Sequence, residues 1–146
     1  MAVMKWVQDH IDLYKRDPEK ALHWDSAMGG SSGMLTTLLL TTKGRKTGKP
    51  VDAPLIFDRV KGNFIVIASR GGTPDHPAWF LNLEAHPEAE IQAGREHAHV
   101  RMRVADGAER EELWKHMAKL YPPYDDYQKK TGGRVIPVVV LEPVKN

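Results

Sequence analysis

The sequence predicts an α+β fold that is mainly antiparallel β, with a closed or split β-barrel and flanking helices. Six short segments are rich in β-branched and aliphatic residues, and most are joined by short turns that contain glycine. Fewer helical segments interrupt them than a doubly wound parallel sheet requires, since such a sheet alternates strands with helices. No Gly-x-Gly-x-x-Gly run follows a strand and opens a helix, which excludes a dinucleotide-binding Rossmann domain.

One structural domain accounts for the length of 146 residues. Within it, residues 1–33 are predicted to form a helical arm with a Gly/Ser linker, and residues 34–146 the barrel. Val3, Val7, Ile11 and Tyr14 recur at helical spacing in the arm, and Pro18 is expected to end this helix. The linker lacks the Gly-Lys-Ser/Thr ending of a phosphate-binding P-loop, so it is interpreted as a joint inside the domain.

Turn residues between apolar segments define the other elements. Strands are predicted at residues 34–42, 51–58, 64–69, 89–93, 97–104 and 135–141, and helices at residues 77–85 and 109–121. The first three strands follow one another through short turns, so they are expected to pair as an antiparallel meander. His97 and His99 share one strand face with Arg101 and Arg103, whose charges would repel a cation. No metal site is therefore predicted.

Composition restricts the class of protein and its location. The chain has no cysteine, which excludes disulfides and thiolate metal sites and suits the cytoplasm, the predicted location. Charged residues near the N-terminus exclude an export signal, and no apolar run approaches the roughly 20 residues of a membrane-spanning helix. Residues 1–16 form an amphipathic segment that packs on the barrel or, as alternatives, contacts a membrane surface or the second subunit of a homodimer. A net charge of +2 is too small to indicate a nucleic-acid partner.

A basic hairpin tip is the first candidate binding element. Residues 44–49, with the sequence Gly-Arg-Lys-Thr-Gly-Lys, place three cations, one hydroxyl and two glycines in a single turn. Cationic side chains and turn amides suit a phosphate or a carboxylate group. Composition alone favours the alternative, an ordinary solvated basic turn.

A second cationic element, Ser69-Arg70-Gly71-Gly72, ends the third strand and leads to the short helix that begins near Pro77. Helix N-terminal amides also receive anions, although a tight loop is the simpler interpretation of the two glycines. Trp79 and Phe80 offer aromatic faces for a planar ligand, or they belong to the core. Asn82 is more informative, because a buried amide needs partners from a ligand or from a neighbouring loop.

Three phenols lie three residues apart after a rigid Pro-Pro break, at Tyr121, Tyr124 and Tyr127. This spacing lets them line one side of a short helix or loop. A binding surface for a small molecule is one interpretation, and a packed corner of three ordinary tyrosines is the other.

Four motifs in a fixed order carry a family resemblance. They are Leu-Leu-Thr-Thr-Lys-Gly-Arg-Lys-Thr-Gly-Lys-Pro from Leu39, Ala-Ser-Arg-Gly-Gly from Ala68, Pro-Ala-Trp-Phe-Leu-Asn-Leu from Pro77 and Tyr-Pro-Pro-Tyr-Asp-Asp-Tyr from Tyr121. Over about residues 35–143 the chain resembles the deazaflavin-dependent nitroreductase family of actinobacteria. The resemblance implies a split β-barrel and coenzyme F₄₂₀, a deazaflavin hydride carrier with a phosphate and an oligoglutamate tail.

Roles for individual residues also follow from the resemblance. The cofactor positions that it implies are Arg45, Lys46, Thr47 and Lys49 for the tail, and Pro54, Ser69, Arg70, Gly71, Pro77, Ala78, Trp79 and Asn82 for the remainder. Ser69, Tyr124 and Tyr127 match catalytic positions, and Tyr121 joins the two tyrosines on the substrate side. Val51 and Ala53 depart from the Arg and Asn of better-known members.

The predicted function is therefore hydride transfer from reduced F₄₂₀ to a small-molecule electron acceptor, namely a quinone, a nitroaromatic or an activated alkene. FMN is the alternative cofactor, because split barrels also hold it, but the cations of the hairpin suit a longer polyanionic tail. A lipid or small-molecule carrier without catalysis is the alternative from another class of protein.

Overall fold

The computed structural model describes residues 5–25 and 34–144, within which the chain forms five α-helices and eight strands. The helices are α1 (Lys5–Arg16), α2 (Pro18–Leu22), α3 (Ala78–Ala85), α4 (Gly107–Leu120) and α5 (Pro123–Lys130). The strands are β1 (His23–Asp25), β2 (Met34–Lys43), β3 (Pro50–Ile56), β4 (Asp58–Val60), β5 (Asn63–Ile67), β6 (Glu88–Ala93), β7 (Glu96–Val104) and β8 (Val138–Pro143). The predicted linker at residues 29–33 lies outside the described residues.

All strand pairs are antiparallel, and their order is β1-β2-β6-β7-β8-β5-β4 with β3 also paired to β2. In β2, Leu39 lies opposite Pro54 of β3 and opposite Gln92 of β6, so these two strands flank β2 on either side. The predicted α+β class and its mainly antiparallel sheet are thus confirmed.

The predicted meander of the first three strands is confirmed for the pairing of β2 with β3 but is wrong for the continuous second strand. The segment expected to be one strand divides at Phe57, which is buried in the core, into β3 and β4. β4 forms a hairpin with β5, and the other edge of β5 pairs with β8 rather than with β3. Both β5 and β8 are apolar at nearly every position, which suits central strands covered on both faces.

Alternate residues of the central strands fill two hydrophobic clusters. In β5, Phe64 and Val66 belong to the barrel interior, whereas Ile65 and Ile67 pack with Leu113 and other residues beneath α4. The four β5 side chains are each at most 5% exposed. This two-sided burial fixes the register of β5, because a slip of one residue would exchange the two faces.

Helix α1 packs on the barrel through a third cluster, in which Ile11 and Tyr14 meet Leu39 of β2. A buried polar network reinforces the contact. The Tyr14 hydroxyl donates to the Thr37 carbonyl oxygen, and the Thr37 hydroxyl donates to the Ala21 carbonyl oxygen at 2.7 Å. The apolar face of the arm is therefore directed at the barrel.

His10 makes this docking sensitive to pH. Its Nε2 lies 3.0 Å from the Ala21 carbonyl oxygen, and burial lowers the pKa of its imidazole. The unfolded chain, with a His pKa of about 6.5, then binds more protons than the folded chain, so stability is full above that pH and falls as the pH drops below it.

We expect His10→Gln, whose amide can still donate to Ala21, to show a smaller acid-induced loss of the free energy of unfolding. Urea titrations between pH 5 and 8 measure it, and the exposed His97→Gln is the matched control; equal slopes for wild type and His10→Gln would contradict the assignment.

Candidate functional site

The basic hairpin tip between β2 and β3 is fastened to α3 by Asn82. The Asn82 Oδ1 accepts hydrogen bonds from the Arg45 backbone amide at 3.1 Å and from the Arg45 guanidinium at 3.0 Å, and its Nδ2 donates to the Thr42 hydroxyl at 3.0 Å. Asn82 is only 2% exposed. Its polar partners therefore come from the hairpin, namely from Arg45 in the neighbouring loop and from Thr42 at the end of β2.

The other side chains of the tip face solvent. Lys46, Thr47 and Lys49 are exposed, and the Thr47 hydroxyl accepts a hydrogen bond from the Lys49 amide at 3.2 Å, which helps to close the turn. Exposed lysines next to an anchored arginine form a donor set that suits an anion with several charged groups.

The loop after β5 has the backbone conformation of an anion-binding nest. Ser69 is right-handed, with φ −80° and ψ −38°, and Arg70 is left-handed, with φ 46°. Alternation of these two conformations turns successive amide groups toward one side, where they suit a phosphate. Gly71 continues the left-handed path at φ 64°, and no atom lies within 4 Å of the place where a Cβ would be.

Gly72 brings this loop against α5. A Cβ at Gly72, where φ is 82°, would lie 2.6 Å from the carbonyl oxygen and 2.8 Å from the Cα of Tyr127. These distances are shorter than any side chain tolerates, so only glycine permits the close approach. The nest and the helix that carries the predicted substrate-side tyrosines are thus in direct contact.

Helix α3 links the hairpin tip and the loop after β5, the two elements predicted to bind anions. Pro77 precedes its first turn, and Ala78 is exposed there, about 6 Å along the axis from Asn82. Trp79 and Phe80 are 7% and 3% exposed and belong to the barrel interior. Their side chains therefore pack in the core, the second of the two interpretations that the sequence allowed.

The three tyrosines form one aromatic cluster. Tyr121 and Tyr124 have ring centroids 4.9 Å apart, and the hydroxyls of Tyr121 and Tyr127 lie 3.2 Å apart. Tyr121 and Tyr124 are almost fully buried, whereas Tyr127 is half-buried. Burial raises the pKa of Tyr121 and that of Tyr124 above the usual range, so both phenols stay protonated at neutral pH.

Sequence reasoning missed Arg134, which lies between α5 and β8. Its guanidinium donates to the carbonyl oxygens of Ala68, Ser69 and Thr73 at 2.7 to 3.1 Å. Burial lowers the pKa of the Arg134 guanidinium, but the group remains charged at neutral pH. In the sequence, Arg134 simply follows two glycines, and nothing in that pattern indicates that its side chain binds a distant loop.

The structure therefore brings most of the predicted site residues to one region, built from the hairpin tip, the loop after β5, α3 and α5. Pro54 is farther away, in β3 opposite Leu39 and about 13 Å along the strand from Pro50 at the tip. Among the described residues, no group of three or more acidic or histidine side chains is placed to hold a metal ion.

Two surface grooves border these elements. One of about 470 Å³ is lined by Arg110, Trp114 and Gln128, among others, and one of about 220 Å³ beside the hairpin includes Glu88 and Glu90. Neither lining contains the Ser69 to Gly71 segment, and the smaller groove combines the carboxylates of Glu88 and Glu90 with Lys43 and His99, so its charges do not favour an anion over a cation. The chemistry of the donors, rather than groove size, locates the candidate site.

The site thus consists of a cationic hairpin tip and a nest-like loop, joined by one short helix on an antiparallel barrel. The chain belongs to the F₄₂₀H₂-dependent quinone reductase family, whose family model matches residues 15–143. A putative F₄₂₀H₂-dependent quinone reductase of Mycobacterium tuberculosis is 40% identical over 107 residues, which cover 73% of this chain and 89% of the relative.

Solved structures agree with this assignment. An F₄₂₀H₂-dependent reductase, FDR-A, is 40% identical and matches with a TM-score of 0.67 over 73% of this chain and 93% of its own. A second structure, described as a domain-swapped dimer, is 34% identical and has a TM-score of 0.69 over 94% of this chain and 97% of its own. The predicted family, split-barrel fold and oxidoreductase class are confirmed, and coenzyme F₄₂₀ is the cofactor of the family. The roles of individual residues stay predictions.

Proposed function

We propose that this chain binds reduced F₄₂₀ and reduces a quinone, with nitroaromatics and activated alkenes as further acceptors. The observation that carries the proposal is the continuity between two anion-binding elements and a tyrosine. Asn82 anchors the tip to α3, the loop of Ser69 to Gly72 leads to the same helix, and Gly72 abuts Tyr127. An anionic cofactor held along this path would lie beside the half-buried phenol.

The chemistry of the donors fits F₄₂₀. Its oligoglutamate tail carries several carboxylates, which suit the exposed Lys46 and Lys49 and the guanidinium of Arg45. Its phosphate suits the amides of the nest at Ser69 and Arg70. A neutral ligand would gain no charge–charge attraction from these cations.

The chain's own residues bind, orient and exclude water. Thr47 shapes the tip, Gly71 admits a close approach to the nest, and Pro77 and Ala78 present the first turn of α3. When bound, reduced F₄₂₀ supplies the hydride, and one proton completes the two-electron reduction of a quinone to its hydroquinone. We assign Ser69, Tyr124 and Tyr127 to the side on which the acceptor is held and protonated. Burial raises the pKa of Tyr124, which keeps its phenol a proton donor at neutral pH.

Two measurements test the proposal. Mixing the protein with reduced F₄₂₀ and menadione is expected to restore the absorbance of oxidised F₄₂₀, and a fluorescence titration is expected to show tighter binding of F₄₂₀ than of FMN. Absence of turnover with quinones, enones and nitroaromatics would overturn the catalytic proposal, and tighter FMN binding would overturn the choice of cofactor. Mass spectrometry of gently purified protein that detects only a bound lipid would instead indicate the carrier alternative.

Lys46→Ala is expected to weaken F₄₂₀ binding by about fivefold, because it removes one solvated cation from a multidentate contact. The loss should shrink at high salt, since salt screens the exposed charge. Fluorescence titration at two ionic strengths measures both effects. Lys119→Ala, an equally exposed lysine at the end of α4, is the control. Equal weakening in both variants would mean that the tip holds no part of the tail.

Tyr127→Phe is expected to lower acceptor turnover about tenfold while leaving F₄₂₀ affinity unchanged, because it removes a hydroxyl that a substrate can reach. Tyr124→Phe makes the same chemical change in a ring that is 4% exposed, so its effect on turnover should be smaller. Steady-state kinetics at saturating F₄₂₀ separate the two. A larger effect for Tyr124 would place the acceptor beneath α5 instead of at its surface.

Partners and location complete the proposal. We infer a cytoplasmic enzyme, in keeping with the absence of cysteine, and a homodimer, on the strength of the relative described as a domain-swapped dimer. Sedimentation velocity tests the dimer. The proposal includes no membrane contact through the arm, whose Ile11 and Tyr14 pack on the barrel. Within residues 5–25 and 34–144, none of the helices has the length and apolar character of a membrane span.

A further inference from the structure

Arg134 binds a single loop with its whole guanidinium. Nη2 donates to the Ser69 carbonyl oxygen at 2.7 Å and to that of Thr73 at 2.9 Å, and Nε also donates to Thr73 at 3.0 Å. Nη1 donates to the Ala68 carbonyl oxygen at 3.1 Å and to Nδ1 of His76 at 3.1 Å. Every one of these acceptors lies in residues 68–76, the loop that contains the nest.

These bonds orient the amides of the nest. The peptide bonds of residues 68–76 are trans, and in a trans peptide the carbonyl of one residue and the amide of the next point in opposite directions. Because the Ser69 carbonyl points at Arg134, the Arg70 amide points away from it. A guanidinium has five donors in a rigid fork, whereas a lysine has a single rotating ammonium, so only arginine can hold three carbonyls and an imidazole together.

Arg134 is in turn fastened to the end of α5. Its carbonyl oxygen accepts hydrogen bonds from Gln128 Nε2 at 2.7 Å and from the Thr131 hydroxyl at 2.8 Å. Gln128 Oε1 accepts from the Ile136 amide at 2.9 Å, which closes the segment. The same segment therefore holds the nest on one side and the tyrosine-bearing helix on the other.

We propose that Arg134 is a positioning residue that sets the direction of the nest amides for an anionic group and couples the nest to α5. The inference rests on the proposed function for the identity of that group, F₄₂₀. Arg134 itself does not touch the reacting atoms; it acts through the backbone of Ser69 and Arg70.

The test compares two arginine-to-lysine variants. Arg134→Lys keeps the charge and loses the fork, so F₄₂₀ binding by fluorescence titration should weaken about tenfold. Arg110→Lys is the matched control, because Arg110 donates to the Ile136 carbonyl oxygen at 2.7 Å and stacks on Trp114. Its F₄₂₀ binding should stay within about twofold of wild type. Thermal unfolding curves identify a temperature at which both variants are folded.

Hydrogen exchange supplies a readout that needs no cofactor. Amides of residues 69–73 should exchange faster in Arg134→Lys than in wild type. In Arg110→Lys their exchange rates should equal those of wild type. A merely structural role would lower the active fraction and thus kcat, whereas loss of positioning raises the KM for F₄₂₀. Failure of wild type to bind F₄₂₀ would overturn the proposed function, and the exchange data would still decide the role of Arg134. The positioning role would be overturned if the amides of residues 69–73 exchange in Arg134→Lys at the same rate as in wild type. It would also be overturned if Arg134→Lys and Arg110→Lys weaken F₄₂₀ binding equally.

Discussion

Gly72→Ala is expected to lower the free energy of unfolding by about 3 kcal/mol, the sum of a left-handed backbone penalty and a displaced helix. The residue has φ 82°, and an added methyl group would meet the Tyr127 carbonyl oxygen at 2.6 Å and its Cα at 2.8 Å. These are backbone atoms, so no side-chain rotation relieves the overlap. Either the loop or α5 must move, which would also carry Tyr127 away from the nest and reduce acceptor turnover.

Gly71→Ala separates the contact from the backbone conformation. Gly71 is also left-handed, at φ 64°, but nothing lies within 4 Å of its Cβ position. It should therefore lose only about 1 kcal/mol, the cost of the left-handed conformation. Urea titration of the two variants measures the difference. Equal destabilisation would show that α5 does not rest on the loop.

Strand pairing shows where prediction from sequence stops. Turn chemistry at Gly62 correctly indicates a hairpin into β5, because a left-handed glycine there is a local feature. The partner on the other edge of β5 is β8, far along the chain, and no local residue specifies it. The expected meander followed from adjacency in sequence, whereas the burial of both faces of β5 decides the pairing.

Some features of the candidate site could likewise be predicted from sequence, and others could not. The cations of the hairpin tip and the Ser-Arg-Gly-Gly loop are contiguous in sequence, so their motifs could be found there. Asn82 was recognisable as an amide in need of partners, but the identity of those partners depends on how the tip folds over α3. Arg134 and the contact of Gly72 with Tyr127 arise only from tertiary packing, and neither has a signal in the order of residues.

Asn82→Ala is expected to have the other large effect. Asn82 makes three hydrogen bonds while 2% exposed, and its removal leaves the Arg45 amide without its acceptor. Loss of a buried hydrogen-bonding partner costs about 1 to 3 kcal/mol. The free energy of unfolding should therefore fall by about 3 kcal/mol when all three bonds of Asn82 are lost. The hairpin tip would also lose its attachment to α3, and F₄₂₀ binding should weaken by at least tenfold.

Thr42→Val distinguishes the anchoring of the tip from general destabilisation. It removes the bond between the Thr42 hydroxyl and Asn82 Nδ2 but keeps both bonds from Arg45 to Asn82 Oδ1. This variant should lose about 1 to 2 kcal/mol of stability and bind F₄₂₀ with nearly wild-type affinity. Calorimetry or urea titration gives the stabilities, and fluorescence titration the affinities. If both variants weaken F₄₂₀ binding equally, the effect would come from the packing of α3, because only Asn82→Ala releases Arg45.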